Sequence, residues 1–176
     1  LLPLGATRPV LGLLVCIFTI AQKWRSFAGY RPIAYLTAGH LMEKYGQQLP
    51  EGKSVLIIKG NVLPTDALFA AITALPIGSV LMQEDQWIAC HIRATNVFSE
   101  SDIPTLQAVA FREFVQFIHY PEYIFMSNAA EISADLLHIN HYSSVASLPQ
   151  GNTYHGDKIV VEGVHSFHGV TLHSEG

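Results

Sequence analysis

The sequence is poor in charge and in cysteine, and both shortages restrict what the protein can be. Charged residues make up 14% of the chain, the ten Lys and Arg form no run of five, and the net charge is −4. This balance offers no basic surface, so we expect no nucleic-acid partner. The two cysteines, Cys16 and Cys90, each lie in an apolar segment. We interpret them as reduced, buried thiols rather than a disulfide or a nucleophile, which favours a cytoplasmic location.

A long hydrophobic run is also missing. The apolar stretch Val10–Ile20 is shorter than the roughly 20 residues that a bilayer span requires. It lacks the basic flank and the small-residue cleavage site of a secretory signal, so we interpret it as a buried helix or strand and expect no membrane contact. Because 49% of the residues are apolar, the chain can still build a sizeable core and cover interfaces.

Several motifs that would identify a site are absent. The sequence contains no GxxxxGK[ST] loop, GxSxG elbow or GxGxxG fingerprint. The nine histidines include HINH but no HExxH, so we interpret them as ordinary histidines rather than metal ligands. The acidic pairs Glu84-Asp85 and Glu100-Asp102 fall in polar turns, where solvated carboxylates are usual. The residues alone therefore predict a soluble α/β domain without naming its chemistry.

Alternating strand and helix patterns predict an α/β sheet fold. The predicted elements are a helix capped by Thr37 and running to Tyr45, a strand Ser54–Lys59, a helix Ala67–Leu75, strands Ser79–Met82 and Trp87–Arg93, and a helix Pro104–Phe117.

The C-terminal residues carry a six-residue period. Gly163 and Gly169 are six positions apart and each precedes a valine, which is typical of a β-helix. One rung cannot bury its own inward face, so we expect the chain to be part of a longer protein. The Ser-, Pro- and Gly-rich stretch at 143–151 marks a boundary. We predict an α/β domain over residues 1–148, then a linker and the start of the β-helix over 149–176.

The stretch LLPLGATRPVLGLLVCIFTIAQKW, and above all its TRPV…TI..KW pattern, carries a family resemblance. It resembles the start of a bacterial family of sugar-1-phosphate nucleotidyltransferase-like proteins. These are relatives of the bifunctional N-acetylglucosamine-1-phosphate uridylyltransferase and glucosamine-1-phosphate acetyltransferase. More diffuse matches follow along almost the whole chain: Tyr35-Leu36-Thr37, Glu43-Lys44-Tyr45, Gly60, Leu63-Pro64, Tyr120-Pro121, Ile124-Phe125, Asn128, Asp135 and Gly151-Asn152-Thr153.

The resemblance implies a nucleotide-diphospho-sugar transferase-like (Rossmann-like) sheet domain, followed by the first rungs of a left-handed hexapeptide-repeat β-helix of the acyltransferase type. The family's first strand would precede Leu1. The implied reaction transfers a nucleotidyl group from a nucleoside triphosphate to a sugar-1-phosphate such as N-acetylglucosamine-1-phosphate, with Mg²⁺. The implied assembly is a homotrimer through the β-helix. By resemblance Arg8 and Lys23 are catalytic and hold phosphates, and the substrate-binding residues are Thr7, Gly60 and Asn61.

The chain also departs from the family pattern. The departures, several of which remove charged groups, are Gly12, Leu14, Cys16, Ala21, Gln22, Lys59 and Tyr123. They favour the alternative of a non-catalytic sugar-nucleotide-binding or scaffolding domain attached to a hexapeptide-repeat acyltransferase. The metal ligands are not identified by the sequence.

Overall fold

The computed structural model describes residues 8–29, 33–37, 39–46, 49–94, 98–139, 151–155 and 168–173. These residues form two compact units, Leu1–Asp135 and Leu136–Gly176. The predicted domain boundary at residue 149 lies outside the described residues. No helix in the described ranges is long and apolar enough to cross a membrane.

The described part of the first unit begins with a short hairpin and a helix. A 3₁₀ turn, Val10–Gly12, leads into strands β1 (Leu14–Val15) and β2 (Phe18–Thr19), and helix α1 (Ile20–Phe27) follows at once. The Thr19 hydroxyl accepts from the Gln22 amide and the Gln22 side chain accepts from the Thr19 amide, which is a capping box. The stretch Val10–Ile20 is therefore neither one helix nor one strand, and its buried residues anchor α1 to the core.

A four-stranded mixed sheet forms the centre of the first unit. Its strands, in spatial order, are β3 (Ser54–Ile58), β5 (Gln86–Arg93), β4 (Ser79–Gln83) and β6 (Gln107–Ala110). The β3–β5 and β4–β5 pairs are antiparallel, whereas β4–β6 is parallel. Helix α3 (Asp66–Thr73) follows β3, and helix α4 (Glu122–Ile139) follows β6. The predicted α/β class is confirmed, with a sheet that is mostly antiparallel.

The sheet separates two apolar clusters because successive side chains on a strand point to opposite faces. Leu81 belongs to the larger cluster with Trp24 and Leu68, whereas its neighbour Val80 packs with Ile57 in the smaller one. The predictions for β3, α3, β4 and β5 are confirmed to within two residues. The Thr65 hydroxyl caps α3 by accepting from the Leu68 amide at 3.2 Å.

One predicted helix is wrong, and a second starts later than predicted. Residues Glu100–Thr105 form a 3₁₀ turn started by a Ser99 capping box, and the next residues form β6 instead of continuing a helix over Pro104–Phe117. Pairing with β4 makes residues Gln107–Ala110 a strand, because contacts within the sheet override the helical spacing of their apolar residues. The helix predicted from a Thr37 cap to Tyr45 does end at Tyr45, but Thr37 does not cap it. A 3₁₀ turn Gly39–Leu41 precedes the four-residue α2 (Met42–Tyr45), whose N-cap is Leu41.

In the second unit two short strands pair in parallel. Strand β7 (Thr153–His155) aligns with β8 (Thr171–His173) so that each residue faces the one 18 positions later. The Thr153 amide donates to the Val170 carbonyl at 3.0 Å, and the rings of His155 and His173 stack with centroids 4.7 Å apart. Residues 156–167, which include Gly163 of the predicted repeat, lie outside the described residues.

Candidate functional site

A cleft with two cations opens beside the first 3₁₀ turn of the chain. Its volume is about 540 Å³. Its lining residues, here called the cationic cleft, are Arg8, Pro9, Gly12, Tyr35, Lys44 and Tyr45. Among the lining residues that the structure describes, both charged groups are cations and none is a carboxylate. The cleft therefore has the electrostatic character of a site for an anion.

The residues of the cationic cleft supply complementary contacts for a ligand that carries phosphates and a flat ring. Arg8 is exposed, and its guanidinium can pair bidentately with phosphate oxygens. The Lys44 ammonium lies 5.1 Å from the centroid of the Tyr45 ring, so the cation and the aromatic face sit side by side. At Gly12 a Cβ would meet nothing within 4 Å, which leaves room for a ligand beside the backbone.

Lys23, predicted to contact phosphate, lies instead in a buried polar cluster. Its ammonium pairs with a carboxylate oxygen of Asp135 and, at 2.8 Å, with Glu131. Lys23 is 4% exposed and Asp135 is 2% exposed, so both charges are removed from water. The second Asp135 oxygen accepts from the Ile17 amide at 3.2 Å. We call these residues the Lys23 cluster; it joins α1 and the β1–β2 hairpin to α4.

Cys16 borders the Lys23 cluster in a strained conformation. Its φ is +64°, a value that glycine adopts more easily than other residues. The resembled family pattern has glycine at the position of Cys16. The positive φ of this residue gives a physical reason for that glycine. The thiol donates to the Asn128 side-chain oxygen at 3.1 Å. Burial raises the pKa of the Cys16 thiol, and the positive charge of Lys23 partly opposes this rise.

The two cysteines are expected to differ in reactivity. Cys90 is fully buried, and burial raises the pKa of its thiol to about 11. Because the thiolate is the reactive species, native Cys90 should resist iodoacetamide at pH 8, whereas the half-buried Cys16 reacts slowly. Peptide mass spectrometry would locate the modified residue, and both should react after unfolding in urea. Equal rates for the two thiols in the native protein would contradict this assignment.

Gly60 and Asn61 lie in the turn after β3, outside the cationic cleft lining. A Cβ at Gly60 would lie 3.4 Å from the Leu11 side chain, so this glycine allows close packing of the turn. Asn61 is engaged with the backbone of Ile118: its carbonyl accepts at 2.8 Å, and its side-chain amide donates at 3.4 Å. Gly60 also lines a second, apolar groove.

The structure thus does not gather the predicted site residues in one place. Arg8 lines the cationic cleft, Lys23 is buried against α4, and Gly60 faces the apolar groove. Thr7 lies outside the described residues. Sequence reasoning assigned no role to Tyr35, Lys44 and Tyr45, although all three fall in segments that carry the resemblance. The only sequence signal for these three residues was that they lie in segments that match the family pattern.

Comparisons with known proteins identify the family. The model of a family described as sugar nucleotidyl transferase matches residues 1–143. No curated protein and no solved structure matches the chain. The family match covers 143 of 176 residues, which confirms the general family that the TRPV…TI..KW motif predicted. Nucleotidyl transfer with nucleotide and sugar-phosphate substrates is what this family implies. On this match, the chain belongs to the sugar nucleotidyl transferase family.

Proposed function

We propose that this chain binds a nucleoside triphosphate in the cationic cleft and transfers its nucleotidyl group to a sugar-1-phosphate. The observation that carries the proposal is the charge of the lining, in which no described residue opposes Arg8 and Lys44 with a carboxylate. A triphosphate brings several negative charges, which two such cations partly offset. The tyrosine rings of the same cleft offer stacking faces for the base or the sugar.

The proposed reaction depends on positioning and charge. A phosphate oxygen of the sugar-1-phosphate attacks the α-phosphorus, a new P–O bond forms, and pyrophosphate leaves with the electrons of the broken bond. Arg8 and Lys44 would hold the phosphates in line and offset the charge that develops on them. For Lys23 to contact phosphate, as predicted by resemblance, its ammonium would have to leave both Glu131 and Asp135. In this proposal Lys23 therefore positions the hairpin.

The requirement for Mg²⁺ stays a prediction. Mg²⁺ prefers carboxylate oxygens together with substrate phosphates, but the part of the cleft lining that the structure describes has no carboxylate. Glu131 and Asp135 already pair with Lys23. Within the described ranges, no group of three His, Cys, Asp or Glu could hold a metal ion. The described residues do not fit a preformed magnesium site. This favours the second candidate function, a sugar-nucleotide-binding or scaffolding domain without catalysis.

We further propose that the second unit starts a left-handed β-helix, in line with the resemblance to the bifunctional uridylyltransferase and acetyltransferase. The 18-residue register between β7 and β8 supports this, because 18 residues equal three six-residue repeats. The homotrimer, the acyltransferase role, N-acetylglucosamine-1-phosphate as acceptor and the cytoplasmic location belong to the same proposal. Analytical ultracentrifugation of the full-length protein tests the trimer.

Arg8→Ala and Lys44→Ala are each expected to weaken nucleotide binding by about tenfold or more. A hydrogen bond to a charged group contributes about 1.5–3 kcal/mol, and about 1.4 kcal/mol corresponds to a tenfold change in affinity. Isothermal titration with UTP, dTTP and UDP-N-acetylglucosamine, with and without Mg²⁺, measures the effect. The matched control is Lys53→Ala, which removes an exposed lysine outside the cleft lining.

Two outcomes of this experiment are decisive. If neither cleft variant changes the affinity relative to Lys53→Ala, the cationic cleft is not the nucleotide site. If the wild-type protein binds none of the nucleotides at millimolar concentration, nucleotidyl transfer and sugar-nucleotide binding both fail, and only the scaffolding role is left. Where binding is found, release of pyrophosphate from UTP in the presence of N-acetylglucosamine-1-phosphate separates the enzyme from the binding domain.

A further inference from the structure

A serine and a histidine outside the cationic cleft form a hydrogen-bonded pair. Ser54, the first residue of β3, places its hydroxyl oxygen 2.5 Å from the Nε2 atom of His91 on β5. The other ring nitrogen of His91, Nδ1, lies 2.5 Å from the carbonyl oxygen of Leu75. Both ring nitrogens are therefore engaged, one with a hydroxyl and one with a backbone carbonyl.

The Leu75 carbonyl determines which nitrogen carries the proton. A carbonyl oxygen only accepts hydrogen bonds, so His91 Nδ1 must be the donor in that contact. In the neutral imidazole Nε2 is then the acceptor, and the Ser54 hydroxyl donates to it. This is the order of contacts by which a histidine activates a serine nucleophile, with the carbonyl in the orienting position that a carboxylate occupies in the usual triad.

The surroundings of the pair resemble a binding site. Ser54 is exposed, and it lines the apolar groove, whose volume is about 880 Å³. Most groove residues are apolar, among them Phe27, Leu36, Leu49, Leu56 and Phe69. Arg93 lies directly opposite Ser54 in the β3–β5 register, and opposed residues of an antiparallel pair share one face of the sheet. Arg93 is exposed and is therefore the cationic residue beside Ser54 on that face.

We propose that Ser54 and His91 form an esterase-type site for esters with an apolar acyl group. The acyl chain would occupy the apolar groove, and Arg93 would donate to the oxygen that becomes negative in the transition state. The site is separate from the cationic cleft and does not depend on nucleotidyl transfer.

The reaction follows from the geometry and needs only water as co-reactant. Ser54 Oγ attacks the ester carbonyl while its proton passes to His91 Nε2. The bond to the alcohol oxygen then breaks, and the alcohol leaves with that proton. A water molecule next attacks the acyl-serine, gives a proton to Nε2 and releases the carboxylic acid as Oγ recovers its proton. The net change is ester plus water to acid plus alcohol.

A fluorophosphonate probe tests the proposal. The probe should form a phosphonyl ester on Ser54 with loss of fluoride, located by peptide mass spectrometry, and the protein should hydrolyse p-nitrophenyl butyrate. Ser54→Ala should abolish both. His91→Asn, which can still donate to the Leu75 carbonyl but offers no basic nitrogen to Ser54, should slow both by about 10²-fold or more. Ser99→Ala is the matched control, because Ser99 is exposed and bonds to Ser101 rather than to a histidine.

Failure of the probe to modify Ser54 in the folded wild-type protein overturns the proposal. So does an unchanged labelling rate in His91→Asn, since a merely structural hydrogen bond would leave the serine equally reactive. Thermal melting of each variant shows whether the fold persists. If His91→Asn does not fold, the exposed Ser54→Ala variant still tests the proposal. Hydrolysis of p-nitrophenyl butyrate by Ser54→Ala at the wild-type rate would show that Ser54 is not the nucleophile.

Discussion

Replacing Lys23 with methionine is expected to lower the free energy of unfolding by about 3–5 kcal/mol. The Lys23 side chain is 4% exposed, and its ammonium pairs with Asp135, which is 2% exposed, and with Glu131. Without it, the buried Asp135 carboxylate keeps one hydrogen bond among the described residues, which it accepts from the Ile17 amide. Urea unfolding followed by far-UV circular dichroism measures the loss. Lys53→Met, at an exposed lysine, should change stability by less than about 0.5 kcal/mol.

The double variant Lys23→Met with Asp135→Leu distinguishes the cost of an unpaired buried carboxylate from the cost of losing the ion pair itself. It removes both buried charges, and replacing a buried ion pair with apolar residues of similar volume is often close to neutral. We therefore expect it to be more stable than Lys23→Met alone, with Glu131 left partly solvated at 17% exposure. If the double variant is less stable than the single variant by the full cost of Asp135→Leu, the two residues are not coupled. A loss of less than 1 kcal/mol in Lys23→Met would show that the cluster is not buried in solution.

The parts of the fold that sequence predicted are those with local start and stop signals. Helix α3 has Thr65 as its cap and Pro76 after its end, and β4 and β5 flank a tight turn in which Glu84 adopts a φ of +51°. Strand β6 has no such signal, because its identity comes from parallel pairing with β4. Its apolar residues also fit a helical spacing, so the period alone gave the wrong element.

The site was predictable only where a short motif carries it. TRPV places Arg8 at the cationic cleft, and the same motif led to the family that the comparison confirms. The partners of Lys23 lie 108 and 112 positions further along the chain, a separation at which no spacing rule applies. The Ser54–His91 pair is likewise made by strand register, since its members are 37 positions apart. Neither the Lys23 ion pairs nor the Ser54–His91 pair can be predicted until the positions of the strands and helices are known.

Trp24→Ala is expected to cost about 3–5 kcal/mol of folding free energy. Trp24 is 3% exposed in the larger apolar cluster, and its indole N–H donates to the Val62 carbonyl at 2.9 Å. Trp24→Phe keeps most of the packing but leaves that carbonyl unpaired, so its cost should be about 1–3 kcal/mol. The difference between the two variants separates cavity formation from the lost hydrogen bond.

The control for Trp24 is the second tryptophan, Trp87, which is half-buried and packs edge-on against Phe98. Trp87→Ala should cost less than Trp24→Ala, because part of its ring is already in water. Far-UV circular dichroism is the right probe, since each variant removes one of the two tryptophans on which fluorescence would depend. Equal losses would contradict the central position of Trp24. A larger loss for Trp24→Ala than for Trp87→Ala would support a structural role for the Lys-Trp pair of TI..KW. In that role Lys23 holds α1 to α4, and Trp24 holds α1 to the turn after β3.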